Sequence, residues 1–201
     1  KLFYTPVEDA IIRRTEVENL TGDVLTVEKL DSFSMDIPNK NFSTVGLLGR
    51  YGRERDISVQ NIDYGIKTIQ STRGNLSSHQ TNPFMALGQN GYHENVGDAI
   101  GAALVYSGSF HMSVEMTHSS DLRVSGGISD CSLNWKLQPG ESLSSAEAIL
   151  VYSDKGMGEM SRRFHDVIRA GIIPERFVYA KRPIVANTWE SCFFDFDEDK
   201  L

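Results

Sequence analysis

The sequence predicts a mainly β fold: an antiparallel sandwich over residues 1–152, a helical connection over 153–181, and a short buried strand that begins a second unit at 182–201. Three observations carry this. Apolar residues recur at every second position as far as about residue 152, turn chemistry separates those runs, and the period changes to steps of three and four after Tyr152.

The alternation is plain in three runs. Phe33, Met35 and Ile37 alternate with polar neighbours; so do Phe110, Met112, Val114 and Met116, and then Leu133, Trp135 and Leu137. Each reads as a strand with one buried face. Asn19 to Asp23, Ser107-Gly108, Ser125-Gly126-Gly127 and Pro139-Gly140 supply the turns of antiparallel connections. Many short strands of this kind argue for a sandwich.

Past Tyr152, Met157, Met160, Phe164, Val167 and Ile168 share one face of a helix. Ser153 or Asp154 is the expected N-cap, and Gly171 the expected stop. Pro174 to Arg182 reads as a connection. Pro183-Ile184-Val185-Ala186-Asn187 is an apolar run suited to a strand covered on both faces, and Asp197-Glu198-Asp199 suits the first turn of a further helix.

Composition narrows the function classes. With 201 residues, 40% hydrophobic and 23% charged, the chain can bury a sizeable core, and no apolar run approaches the length of a membrane span. The net charge is −7, more than half of it in residues 190–200, so the basic footprint needed for nucleic acid is missing. Cys131 and Cys192 lie in apolar surroundings and read as buried reduced thiols, with a disulfide as the alternative. Reduced thiols favour a cytoplasmic protein.

Chemistry-bearing clusters are few. Arg50 to Asp56 (RYGRERD) reads as a solvated charge run with internal ion pairs, and Gly74 to Phe84 as an ordered turn rich in backbone caps. His79, His93, His111, His118 and His165 never fall at ligand spacing, so no metal is assigned; Gly156-Met-Gly158 lacks a preceding phosphate loop, so no nucleotide or other cofactor is assigned. His111 occupies a polar strand position. Trp189 either packs under a loop or lines a sugar site with its apolar face and indole donor, and spacing does not choose between these.

The order of the segments carries a resemblance. Residues 44–84 (TVGLLGRYGRERDISVQNIDYGIKTIQSTRGNLSSHQTNPF), then LVYSGSF (104–110), NWKLQPGES (134–142), LVYSDKGMGEMSRRFHDVIR (150–169) and RPIVANTWESCFFDFDEDKL (182–201), resemble family 36 glycoside hydrolases, and among them microbial α-galactosidases. The resemblance implies a galactose mutarotase-like β-supersandwich leading into a (β/α)8 barrel. Residues 1–152 would be the later part of the supersandwich, and 182–201 the first barrel strand.

It also implies a retaining glycosidase that works without a cofactor on melibiose or raffinose-type α-galactosides. Such enzymes hold two carboxyl groups roughly 5–5.5 Å apart. In the family both are aspartates on later barrel strands, so neither catalytic residue would lie within these residues. The Trp of the family's N-x-W-E segment borders the galactose subsite; here it is Trp189. Arg53, Glu54 and Arg55 correspond to a loop near active-site entrances in oligomers, which implies a homo-oligomer and makes Arg53 and Arg55 candidate substrate contacts. Tyr51-Gly52 departs from the family's usual Trp-Ala, and Cys131 from its usual aromatic. The rival readings are a stand-alone carbohydrate-binding or oligomerisation β-module, and a galactosyl transglycosylase of the same family.

Overall fold

In the computed structural model, which describes residues 1–74, 80–131 and 133–200, two antiparallel sheets face each other across an apolar core. The larger runs β1 (Leu2–Val7), β2 (Ala10–Glu18), β14 (Glu147–Ser153), β9 (Ala99–Val105), β8 (Thr81–Gln89), β5 (Phe42–Arg50) and β6 (Arg53–Asn61), with β13 (Ser142–Ser144) paired to β2. The smaller runs β4 (Asp31–Ile37), β11 (Leu122–Ile128), β10 (Phe110–Met116) and β7 (Gly65–Ser71). Phe33, Phe110, Met112, Val114 and Leu122 from the smaller sheet meet Phe42, Met85, Leu87, Leu104 and Ala148 from the larger. The period-two pattern therefore does its work: alternate side chains of each strand fill one interior.

Three central strands of the larger sheet bury both faces. Ala86, Ala99, Ile149 and Val151 point away from the sandwich core and into a second one, where α1 (Gly156–Val167) lays Met157, Met160, Phe164 and Val167. The face predicted from helical spacing is the buried one, with Ile168 half-buried at its margin. Gly101 makes the approach possible, since a Cβ there would stand 2.5 Å from the Phe164 ring and 2.7 Å from Met160 Sδ. Phe164 also meets Phe84 edge-on, ring centres 5.7 Å apart.

The helix ends differ from expectation. Neither Ser153 nor Asp154 caps α1; the Ser153 hydroxyl accepts instead from the Lys155 amide, and the first helical N–H groups donate to backbone. Gly156 N bonds Gly97 O, Met157 N bonds His93 O and Gly158 N bonds Glu94 O, each at 2.9 Å. Tertiary contact has replaced the local cap, satisfying the same orphan donors. Gly171 is not the stop either. The helix continues as a π turn, Ile168–Ile172, and ends where Pro174 forces extended backbone on Ile173. A short α2 (Glu175–Val178) follows.

Three further expectations need correction. Leu133, Trp135 and Leu137 do not share a buried strand face: among the described residues β12 (Trp135–Leu137) pairs only with β3 (Leu25–Val27), in a ribbon off the sandwich, and Leu137 is buried while Trp135 is exposed. The cysteines are not buried. Cys131 sits exposed in the turn after β11, Cys192 is partly exposed in a turn near the C-terminus, and both are free thiols. Of the Gly74–Phe84 stretch, Asn75–His79 lies outside the described residues. Its end is strand rather than turn, and because Pro83 has no N–H to give, the Asn82 side-chain amide donates to Leu47 O at 3.2 Å.

Buried polar groups tie these pieces together. Asn19, fully buried, donates to Asp23 O and Leu137 O while its Oδ1 accepts from Thr21, so the predicted turn is built around one amide. His111 is more than a polar strand position. It is buried, its Nδ1 stands 3.1 Å from Ile128 O, and its Nε2 stands 3.0 Å from Asp31 Oδ1. Both ring nitrogens thus face acceptors, which favours the doubly protonated imidazolium. Lys29 Nζ lies 3.5 Å from the other Asp31 oxygen.

The Asp31 contact raises the His111 pKa against the opposing effect of burial. Burial alone would raise the pKa of Asp31, but His111 and Lys29 bring it below the ordinary carboxylate value. The histidine's contribution to stability is therefore full below about pH 6.5 and lost as pH rises through its higher folded value; the aspartate's is present above about pH 3.9 and lost as pH falls through its lower one. Urea denaturation across pH should show the pair contributing most between roughly pH 4 and 6.5. In His111→Gln the decline above that window should flatten, and an unchanged pH slope would show that His111 is not its source.

Candidate functional site

The β5–β6 hairpin tip and the C-terminal turn form the site. The tip is a strained connection: the pairing of β5 with β6 slips between Leu48 and Arg50, Gly52 has φ +75° and Arg55 φ +64°. The Gly52 amide donates to Glu54 Oε1 at 3.0 Å, and Arg53 pairs with Asp56 at 3.0 Å. The predicted internal ion pair is there. Arg53 and Arg55 both face solvent.

Residues 183–187 carry no regular secondary structure and pair with no strand among the described residues, and Ile184 and Val185 stand almost fully exposed. A strand's backbone groups must be satisfied from a neighbouring strand or by water, and among the described residues this segment has no such neighbour. Beyond it the chain folds on itself. Thr188 O accepts from the amides of Ser191, Cys192 and Phe193, while Asn187 Oδ1 accepts the Trp189 amide at 2.9 Å. Trp189 packs edge-on to both Phe193 and Phe194, ring centres 5.2 and 5.1 Å away, yet remains 45% exposed.

A long-range bond joins the two segments: the Tyr51 hydroxyl donates to Glu190 Oε1 at 3.1 Å, across 139 positions of sequence. That bond raises the Tyr51 pKa, since Glu190 would repel a phenolate. The acids nearest Trp189 have other work. Glu190 holds Tyr51, Asp195 pairs with Lys200 at 3.0 Å, and Asp197 Oδ1 accepts the Lys200 amide as the first turn of a helix would. The turn offers an aromatic face and hydrogen-bonding groups, a combination suited to a sugar, which has apolar C–H faces and a polar rim.

In the sequence Trp189, Arg53 and Arg55 stand apart. The structure joins their segments through Tyr51, a departure from the family's usual residue, and Glu190, one of the C-terminal charges. No local signal marks that pair, because a contact over such a separation leaves no periodicity. A cleft of about 700 Å³ lies elsewhere, lined by Asn39, Asn41, Asp63 and Asn90.

Together these features define a class: a β-sandwich platform, buttressed by a helix, that presents an aromatic turn where it leaves the sandwich. The family model for the glycosyl hydrolase family 36 N-terminal domain matches residues 1–138, and that for melibiase matches residues 142–201. The chain belongs to glycosyl hydrolase family 36. It is similar to alpha-galactosidase Mel36A of Lactobacillus acidophilus, 41% identical over 202 aligned residues that take in 100% of this chain and 28% of that protein. Alpha-galactosidase AgaA of Geobacillus stearothermophilus is 38% identical over the same shares.

Solved structures agree. An AgaA variant in complex with stachyose superposes with a TM-score of 0.89 at 37% identity, covering 99% of this chain and 28% of that one. The alpha-galactosidase of Lactobacillus brevis gives 0.90 at 30% identity, covering 98% and 27%. The chain thus spans little more than a quarter of the length of the relatives it matches. Its supersandwich fold, predicted from alternation and resemblance, is that of the family 36 N-terminal domain. No helix among the described residues is long and apolar enough to cross a membrane.

Proposed function

We propose that this chain is the non-catalytic N-terminal region of a retaining α-galactosidase that releases terminal α-1,6-linked galactose from melibiose or raffinose-type oligosaccharides. The observation that carries the reading is the match over the whole chain to proteins that are themselves named alpha-galactosidases. The AgaA structures with stachyose and raffinose support the substrate class. On this reading residues 1–152 are the sandwich, 153–181 the helical connection and 182–201 the opening of the catalytic barrel. Both catalytic aspartates lie outside the 201 residues, and no cofactor takes part.

Trp189 then borders the galactose subsite. The support is its half-exposed indole, held by Phe193 and Phe194 in a turn that presents it to solvent. Arg53 and Arg55 are substrate contacts at the mouth of the site, supported by their exposure on the hairpin that touches the same turn. The enzyme works in the cytoplasm as a homo-oligomer. Free, solvent-accessible thiols at Cys131 and Cys192 accord with a reducing compartment.

Two assays test this. On p-nitrophenyl α-galactoside, the enzyme from the full reading frame should turn over and the 201-residue chain should not; an active chain would overturn the placement of both carboxylates outside it. In the full enzyme, Trp189→Ala should raise KM about tenfold, the equivalent of ~1.4 kcal/mol or one good aromatic contact, without lowering Tm. Unchanged kinetics would return Trp189 to a purely structural cluster.

A further inference from the structure

We propose that Tyr51 is a positioning residue, which through its hydrogen bond to Glu190 sets the orientation of the turn that carries Trp189. The inference rests on the reading of Trp189 as a galactoside contact. It names a residue that touches no substrate itself.

Three observations combine. The Tyr51 hydroxyl to Glu190 Oε1 bond, at 3.1 Å, is a direct side-chain link between the hairpin tip and the turn. The turn is internally stiff, because Thr188 O gathers three amides and Trp189 is wedged against two phenylalanines. A stiff unit reorients as a body when such a contact is released.

The tip is in turn fixed in its own shape. Gly49 lies so close to the Arg53 carbonyl that a Cβ could not fit, Gly52 adopts φ +75°, and its amide is held by Glu54. Tyr51 is therefore displayed from a rigid hairpin rather than from a loose loop. A phenol is suited to the task, for it is long and has only two rotatable side-chain bonds before its donor.

The test uses Tyr51→Phe, Glu190→Ala, Glu190→Gln and the Tyr51→Phe/Glu190→Ala pair in the full-length enzyme, with melibiose as substrate. Tyr51→Phe and Glu190→Ala should each raise KM about three- to tenfold with kcat within about twofold, and the pair should be no worse than either alone. Glu190→Gln keeps an acceptor oxygen and should restore most of the loss. Additive effects, or an unmoved KM in Tyr51→Phe, would overturn the proposal.

A second readout needs no substrate. The 201-residue chain has two tryptophans, so in that chain Trp135→Phe leaves Trp189 as the sole indole reporter. Adding Tyr51→Phe to that background should shift its emission and raise its quenching by iodide. Equal emission and quenching would refute the positioning role. If Trp189→Ala leaves KM unmoved while this quenching still responds to Tyr51→Phe, the sugar-site reading fails and the positioning contact stands.

Discussion

Phe110→Ala is expected to cost about 3–5 kcal/mol of folding stability, the range for deleting a fully buried aromatic side chain. Phe110 has no exposed surface and lies on a central strand of the smaller sheet, between β11 and β7. It shares the inter-sheet core with Phe33, Met85, Met112 and Leu122. Cross-strand partners fix the backbone on both sides, Ile128 on β11 and Ser71 on β7, so the sheet cannot collapse into the void. A lost transfer contribution and a residual cavity both count against the variant. Urea unfolding should show a lower midpoint with an unchanged slope, since the surface exposed on unfolding barely changes. A loss below about 1 kcal/mol would mean that the two sheets do not depend on each other for packing.

Gly156→Ala is expected to destabilise by about 2–4 kcal/mol, although it adds only a methyl group to a helix. Gly156 has φ +79°, where an L side chain is strained. Its Cβ would also meet three backbone atoms: Glu94 O and Val96 N at 2.7 Å and His93 O at 2.8 Å. These belong to the loop whose carbonyls cap α1, so relieving the clash pulls donors from their acceptors. The helix would lift at its start, uncovering Met157 and the outer face of the larger sheet. Thermal unfolding should record the loss, and faster amide exchange at Met157 and Gly158 should localise it. A variant as stable as the parent would show that the loop yields freely.

Much of this architecture was legible in residue order. Alternation at Phe33-Met35-Ile37 and Phe110-Met112-Val114 identified strands and their inner faces because strand period is geometric and needs no partner to be read. Helical spacing likewise gave the buried face of α1. The cap of that helix was not legible, since its acceptors come from a loop some sixty residues earlier. At the candidate site, Trp189, Arg53 and Arg55 were visible as residue types. The bond that brings their segments together was not, for neither Tyr51 nor Glu190 is unusual in its own neighbourhood.

The fate of Pro183 to Asn187 marks the division most sharply. Its composition determined that it is apolar, extended and suited to burial on two faces. Whether it becomes a strand depends on a neighbour to hydrogen-bond with, and among the described residues it has none. Likewise Gly101 reads as a weakness in a strand until Phe164 is seen lying across it. The sequence by itself determined element type, inner face and family, because these follow from local period and the order of segments. Only the tertiary structure decided which faces are covered twice, how α1 is capped and where Trp189 is held, because each depends on groups distant in the chain.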